Sequence, residues 1–298
     1  MNKKMNCVRQ ICHADRVTVN CGKAKGLNLI YCAAGKLGFV LNESKCLDVA
    51  SLSLNGENVS FISKNGFTNQ ETGFLKNFGG GMLYTCGLDA IGGIEGHPLH
   101  GLIHNIPAEN VTVNCTEEKL VVTGEMRDSA LFGENLLLKR TVTAYVNEAE
   151  IEVSDELVNE SYRTENYCLL YHVNFGYPFL GENTFIETNA KEVLPRTDKA
   201  AKNKANCLKF QTPVDNEEEE CFFHNGATAI TVHGENLVKA TVSYKGDMFG
   251  FVEWKSFASG DYALGIEPAT SALDGYFEYK TIAPGEKKIY GVTVKFSK

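Results

Sequence analysis

The feature of this sequence that most constrains its fold is an alternation of apolar and polar residues with a period of two. Between Thr141 and Val153 apolar side chains occupy every second position, and Asn147-Glu148 interrupts the pattern in the middle. Successive side chains of a β-strand point to opposite faces, so this pattern predicts two antiparallel strands joined by a turn, with one face in water. The same pattern recurs at residues 111–123, 229–244 and 290–296.

Sustained helical periodicity is hard to find in this chain. The best candidate, residues 189–202, contains Pro195, which predicts a short helix or a loop there. Many short strands separated by turn signals at intervals of about 8–12 residues predict an all-β, mainly antiparallel fold of two packed sheets with few short helices. Because no linker or fixed-period repeat divides the sequence, we expect residues 1–298 to form a single domain.

Composition excludes several classes of function. The formal net charge is −8 and no Lys/Arg-rich stretch occurs, which argues against a nucleic-acid partner. No window is apolar enough for a membrane span, and the polar residues 1–9 do not resemble a signal peptide. Ten cysteines without a Cys-x-x-Cys pair then indicate free thiols in the cytoplasm. The acidic run Glu217 to Glu220 is interpreted as a solvated loop.

The stretch from residue 78 to 109 does not follow the strand pattern. Its triple glycine, residues 79–81, lacks the Lys-Ser/Thr of a phosphate-binding loop and indicates tight turns or close approach of the backbone to a ligand. His97, His100 and His104 have a spacing that would place them on one helical face as metal ligands. Proline and glycine among them oppose a helix, so histidines bonded within a structural loop are the competing interpretation.

Two further stretches carry titratable residues at strand ends. His172 ends an apolar strand before a Gly/Pro-bounded turn, where binding sites are often built. Glu267 ends another apolar run immediately before Pro268, and a carboxylate in such a place needs a proton, a cation or a hydrogen-bond donor. Trp254, the only tryptophan, offers a ring face to a sugar or to the core. Taken one at a time, each residue is open to a structural or a functional interpretation.

Taken together, these stretches resemble the aldose 1-epimerase (galactose mutarotase) superfamily, and more closely an uncharacterised bacterial branch of it. The resemblance extends from about residue 46 to residue 266 and beyond. It depends on four motifs in the expected order: Thr85-Cys86-Gly87-Leu88-Asp89, Leu99-His100-Gly101, Tyr171-His172-Val173-Asn174-Phe175-Gly176-Tyr177-Pro178 and Gly265-Ile266-Glu267-Pro268.

The resemblance implies a β-supersandwich with a carbohydrate site on the concave face of one sheet. It implies that Glu267 removes the proton of the anomeric hydroxyl, that His172 protonates the ring oxygen and that His100 binds the sugar near that oxygen. Opening a hemiacetal needs one base and one acid, so neither a cofactor nor a metal is expected. Other polar or aromatic residues of these stretches are candidate sugar-binding residues: Lys76, Asp89, Asn174, Trp254 and Lys255.

The sequence also departs from well-studied mutarotases. Their arginine upstream of the Leu-His-Gly motif is missing, and the nearest basic residue is Lys76. Their sugar-binding aspartate has no assigned counterpart, since Asp215 lies too close to His172. We therefore expect an isomerase that interconverts the anomers of a small carbohydrate, with a non-catalytic carbohydrate-binding or sensing protein as the alternative. A metal-dependent sugar isomerase is the third interpretation, and a homodimer is left open.

Overall fold

A computed structural model describes residues 3–70 and 72–298 of the chain. Its helices are α1 (Phe74–Asn77) and α2 (Asp198–Lys202), with 3₁₀ turns at Val8–Gln10, Ile103–Asn105, Lys204–Asn206 and Asp274–Tyr276. The strands are β1 (Cys12–Thr18), β2 (Asn28–Ala34), β3 (Leu37–Asn42), β4 (Asp48–Leu54), β5 (Glu57–Asn58), β6 (Leu83–Leu88), β7 (Glu109–Cys115), β8 (Lys119–Ser129), β9 (Asn135–Tyr145), β10 (Glu150–Asn159), β11 (Glu165–Phe175), β12 (Phe185–Thr188), β13 (Glu192–Pro195), β14 (Glu220–Asn225), β15 (Ala229–His233), β16 (Lys239–Lys245), β17 (Gly250–Ser256), β18 (Ala263–Ala269), β19 (Lys280–Ile282) and β20 (Lys287–Ser297).

The strands form three antiparallel sheets. One has the order β1-β2-β3-β4-β5, a second the order β12-β15-β16-β20-β10-β9-β8-β7, and the third the order β13-β14-β17-β18-β11-β19 with β6 also paired to β11. Buried side chains of all three sheets belong to one hydrophobic core, which contains residues from Cys12 to Phe296. The prediction of an all-β, mainly antiparallel fold is confirmed. The two large sheets were expected; the five-stranded sheet is an addition.

The strands predicted from the alternation are present. β9 and β10 pair across the expected turn, as do β7 with β8 and β15 with β16. Along β20, Tyr290, Val292, Val294 and Phe296 are all buried in the core. Residues 189–202, predicted as a short helix or a loop, contain the edge strand β13 and then α2.

A buried ionic network ties the sheets together. Arg140 on β9 donates to both oxygens of Asp155 on β10, at 2.9 and 2.7 Å, and to Asp48 on β4 at 2.6 Å. It also donates to Thr85 on β6, and the Tyr171 hydroxyl on β11 donates to Asp155. A buried charge is tolerated only when it is paired and hydrogen-bonded. The network therefore holds β6 and β11 in a defined position, and these two strands frame the site.

The seven-stranded sheet has one face in the main core and a second face covered by loops. On β11, Tyr171 and Val173 belong to the main core, whereas Leu170 belongs to a smaller cluster on the opposite face. Loop residues such as Phe74 and Phe277 pack on that cluster. Because side chains alternate along a strand, His172 lies on the same covered face as Leu170.

Two expectations from composition can be compared with the structure. The ten cysteines, all within the described residues, carry free thiols, and six of them are buried. Among the described residues, no helix has the length and hydropathy needed to cross a bilayer. The cytoplasmic location and the single domain stay predictions.

Candidate functional site

His172 and Glu267 meet on the covered face of the seven-stranded sheet. In the antiparallel register of β11 and β18, Val173 pairs with Ile266, which sets His172 opposite Glu267. The distance from His172 Nε2 to Glu267 Oε1 is 3.1 Å. Both side chains are nearly buried, with exposed fractions of 6% and 3%. An imidazole and a carboxyl group that are distant in sequence are thus in contact across two neighbouring strands.

Gly265 provides the space that this pair occupies. It lies two residues before Glu267 on β18 and therefore on the same face. A Cβ added to Gly265 would lie 2.4 Å from Glu267 Oε1 and 3.0 Å from His172 Cε1. Carbon and oxygen atoms do not approach that closely without repulsion. The Gly265-Ile266-Glu267 segment therefore meets a steric requirement as well as supplying the carboxyl group.

Burial changes the protonation of both groups. It raises the pKa of Glu267 well above 4.5; the charge of Arg196 opposes this shift and that of Glu219 adds to it. Burial also lowers the pKa of His172 well below 6.5, with a further contribution from His100, while Asn174 opposes the change. A low-dielectric environment disfavours the charged form of each group. Burial therefore shifts both groups towards their neutral forms, a carboxylic acid and a neutral imidazole.

His100 approaches the pair from the loop that follows β6. Its ring centroid lies 5.6 Å from that of His172. The backbone N–H of Gly92 donates to His100 Nδ1 at 3.3 Å, and burial, with a contribution from Arg196, lowers the pKa of His100 to about 4. The ring is therefore neutral with its proton on Nε2. His100 can donate a hydrogen bond to a sugar oxygen but is not an acid of the imidazolium type.

Aromatic rings surround these groups. The Phe78 and Trp254 ring centroids each lie 5.6 Å from that of His172, and Phe74 lies 4.7 Å from His100. Such rings present apolar faces that can pack against the apolar face of a pyranose. Because the pair is nearly buried beneath this cover, a sugar that touches both groups must displace part of it. Phe74 and Phe78 on and beside the short helix α1 are the nearest covering groups.

Arg196 is a site residue that reasoning from the sequence missed. It follows β13, and its backbone N–H bonds to Cys221 O, while Cys221 pairs in register with Trp254. The guanidinium donates to both oxygens of Asp274 at 2.5 and 2.9 Å, and its Nη1 lies 3.9 Å from Cys221 Sγ. Its charge acts on both His100 and Glu267. No motif surrounds Arg196, so only the strand order reveals its position.

In the acidic run, Glu217 to Glu219 lie in a loop with Glu218 and Glu219 exposed, and Glu220 begins β14. Glu219 accepts a hydrogen bond from the Trp254 indole at 2.7 Å, and Glu217 forms an ion pair with Lys199. Glu220 is buried and accepts a hydrogen bond from Asn203. The prediction of a solvated loop therefore fits Glu217 to Glu219, although Glu217 and Glu219 have specific partners, and fails for Glu220, which is buried in a strand. Glu219 in particular fixes the indole that borders the site.

Lys255 was predicted to bind the sugar, and the structure contradicts this. Adjacent residues of a strand point to opposite faces, so Lys255 points away from the face that carries Trp254. It is fully buried, its ammonium group lies 3.0 Å from Glu253 Oε1, and it donates to the carbonyl of Cys207. Three phenylalanine rings surround it within 6 Å of their centroids. Lys255 belongs to the interior of the protein.

Two other predicted sugar ligands, Asn174 and Asp89, hold parts of the site in position. Asn174 is fully buried, and its side chain donates to the carbonyl of His172 at 2.8 Å. Asp89 accepts a hydrogen bond from the backbone N–H of Leu102 at 2.9 Å and lies 3.2 Å from His97 Nδ1, so it holds the loop that carries His100. These contacts give Asn174 and Asp89 positioning roles, and the sugar contact predicted for each stays a prediction. Lys76 lies exposed on α1, and its predicted role stays a prediction.

The three loop histidines take separate partners. His97 is next to Asp89, and His104 lies 2.7 Å from Asp48 and stacks on Tyr84 with centroids 3.7 Å apart. In the part of the chain that the structure describes, no group of three or more His, Cys, Asp or Glu side chains has the geometry to hold a metal ion. The interpretation of these histidines as joint metal ligands therefore has no geometric support.

The fold defines a class, the galactose mutarotase-type β-sandwiches. The chain is similar to a provisionally named aldose 1-epimerase from Klebsiella pneumoniae, with a TM-score of 0.86, 18% identity, and coverage of 96% of this chain and 88% of that chain. It is also similar to a provisionally named mutarotase from Salmonella typhimurium, with a TM-score of 0.70, 14% identity, and coverage of 96% of this chain and 94% of that chain. A galactose mutarotase-like protein from Clostridium acetobutylicum has a TM-score of 0.68 and 13% identity, with coverage of 97% of this chain and 99% of that chain. At these identities the likeness establishes the fold, and the expected fold type is confirmed.

The chain belongs to the family described as a domain of unknown function, DUF4432, whose model matches residues 24–295. No curated protein matches the sequence.

Proposed function

We propose that this protein is an aldose 1-epimerase-like isomerase that binds a small carbohydrate and interconverts its two anomers. The single observation that carries the proposal is the contact between His172 and Glu267 at 3.1 Å on a covered sheet face. A binding protein needs hydrogen-bonding groups but does not need an acid and a base within reach of the same two oxygens. Hemiacetal opening needs both in concert.

The proposed reaction moves two protons and breaks one bond. Glu267, as carboxylate, removes the proton of the anomeric hydroxyl, and the C1–O1 bond becomes a carbonyl. The C1–O5 bond breaks, and His172, as imidazolium, gives a proton to O5. Rotation about C1–C2 then presents the other carbonyl face, and the reverse transfers close the ring. In this proposal His100 Nε2–H donates a hydrogen bond to a sugar oxygen during these steps.

The directions of the two pKa shifts are consistent with this chemistry. A carboxylic acid beside a neutral imidazole holds the same number of protons as a carboxylate beside an imidazolium. The neutral pair is therefore the form that accompanies the open-chain sugar, with Glu267 ready to protonate the carbonyl oxygen. One proton shift between Glu267 and His172 produces the form that opens the ring. Opposite pKa shifts of two neighbouring groups are a common mark of acid–base assignment.

The test is anomer exchange measured by NMR on purified protein across a panel of neutral and acidic aldoses. We expect exchange faster than buffer for at least one sugar, and a loss of about 10²–10⁴-fold in the Glu267→Gln variant. Glu278→Gln is the matched control, because Glu278 is an exposed glutamate outside the site. Full activity of a folded Glu267→Gln variant would contradict the mechanism. Exchange at the buffer rate for every sugar, with tight binding of one, would instead favour a binding protein.

A further inference from the structure

Several polar atoms of the candidate site are buried without an ordinary hydrogen bond. Within the described residues they include His172 Nδ1, Asn174 Oδ1 and Glu267 Oε1. A buried polar atom that lacks a partner costs free energy, so such atoms in a folded protein need an explanation. The donor and acceptor types of these three atoms supply one.

The orientation of the Asn174 amide is fixed by the backbone. Its Nδ2 donates to the carbonyl oxygen of His172 at 2.8 Å. If the amide were rotated by half a turn, its oxygen would face that carbonyl oxygen and the hydrogen bond would be lost. The nitrogen is therefore the end beside the carbonyl, and Oδ1 is left as a buried group that can only accept.

Asn174 Oδ1 is the complement of His172 Nδ1. The two residues are two positions apart on β11, so their side chains lie on the same face of the sheet. The other ring nitrogen, Nε2, lies 3.1 Å from Glu267 Oε1, which leaves Nδ1 for Asn174. The contact does not have the geometry of an ordinary hydrogen bond, yet the Asn174 side chain raises the pKa of His172 as an acceptor does.

His100 has the opposite arrangement. Its Nδ1 accepts a hydrogen bond from the backbone N–H of Gly92 at 3.3 Å, so the proton of the neutral ring is on Nε2. The partner of one ring nitrogen decides the tautomer, because the two nitrogens of a neutral imidazole share one proton. A donor at Nδ1 of His100 and an acceptor at Nδ1 of His172 therefore select opposite tautomers.

We propose that Asn174 is a positioning residue that holds the neutral His172 ring with its proton on Nδ1 and with Nε2 bare. Bare Nε2 lies 3.1 Å from the carboxyl group of Glu267 and can take up its proton. In that step the O–H bond of Glu267 breaks and an N–H bond forms at Nε2, which gives a carboxylate and an imidazolium. The tautomer depends on hydrogen bonding alone, and its part in ring opening rests on the proposed function.

NMR of the full chain with ¹⁵N-labelled histidine tests the proposal near neutral pH, because the chemical shift of a protonated ring nitrogen differs from that of a bare one. The His172→Gln and His100→Gln variants identify the signals of each ring by their loss. We expect His172 to be protonated on Nδ1 and bare on Nε2, and His100 to show the reverse. A His172 ring protonated on Nε2, as the other tautomer or as imidazolium, would overturn the proposal.

Variants of Asn174 separate this role from a purely structural one. Asn174→Leu removes the acceptor and should shift the His172 proton towards Nε2, whereas Asn174→Asp keeps an acceptor and should keep Nδ1 protonated. Asn166→Leu is the matched control, because Asn166 is an exposed asparagine on the same strand. An unchanged tautomer in folded Asn174→Leu would overturn the proposal. If this variant does not fold, the unmodified chain and Asn174→Asp decide the outcome.

Anomer exchange provides the kinetic measurement. Asn174→Leu should lower kcat by roughly 10–100-fold with little change in KM, which is the effect of removing the partner that orients a metal-bound histidine. A loss confined to KM would assign Asn174 to sugar binding and contradict a positioning role. Because the NMR measurement needs no sugar, a chain with the expected tautomers and no exchange activity would contradict the proposed function and still support the role of Asn174.

Discussion

Gly265→Ala is the most direct test of the idea that the contact between His172 and Glu267 is functional. The new Cβ would lie 2.4 Å from Glu267 Oε1, where ordinary contact begins near 3.4 Å, so the carboxyl group must retreat by about 1 Å. A 1 Å misplacement of a reacting group costs roughly 100-fold in rate. Overpacking also lowers the free energy of unfolding by about 1–3 kcal/mol. The variant keeps every catalytic side chain, so only geometry changes.

The assay combines anomer exchange by NMR with urea unfolding followed by circular dichroism. Gly275→Ala is the control, because a Cβ added there meets no atom within 4 Å and the backbone conformation suits alanine. We expect the control to retain both stability and rate. A folded Gly265→Ala protein with the full exchange rate would refute the reasoning, and so would an equal loss in Gly275→Ala.

Three further predictions concern stability. The pKa of Glu267 is higher in the folded than in the unfolded chain, so the free energy of unfolding falls as pH rises above 4.5. The Glu267→Gln variant should therefore unfold at a higher urea concentration than the unmodified protein near pH 7, and at the same concentration near pH 4. The pKa of His100 is about 4 in the folded chain and 6.5 in the unfolded chain, so acidification from pH 6.5 to pH 4 should lower the free energy of unfolding by on the order of 3 kcal/mol. In urea unfolding, the His100→Gln variant should not show this part of the decrease. Lys255→Met leaves Glu253 without its ammonium partner at 3.0 Å and should cost about 3 kcal/mol in urea unfolding, while sugar affinity by calorimetry stays unchanged.

The fold was largely predictable because strand formation leaves a local pattern. The alternation along β9, β10 and β20 needs only neighbouring residues to be recognised, and these strands lie where the pattern predicts them. The third sheet was not predicted, since a pattern of alternation does not say how strands group into sheets. The family motifs brought attention to His172, Glu267 and His100, and the structure places these three side chains together.

The sequence by itself determined which segments are strands and which motifs hold titratable groups. Only the tertiary structure decided which side of a strand faces the site. Trp254 and Lys255 are neighbours in sequence, yet one borders His172 and the other is buried on the opposite face. Arg196 and Glu219 reach the site because β14 lies next to β17 in the sheet and β13 lies next to β14. Strand order and facing depend on long-range pairing and on burial in a shared core, and neither leaves a signal in a local stretch of residues.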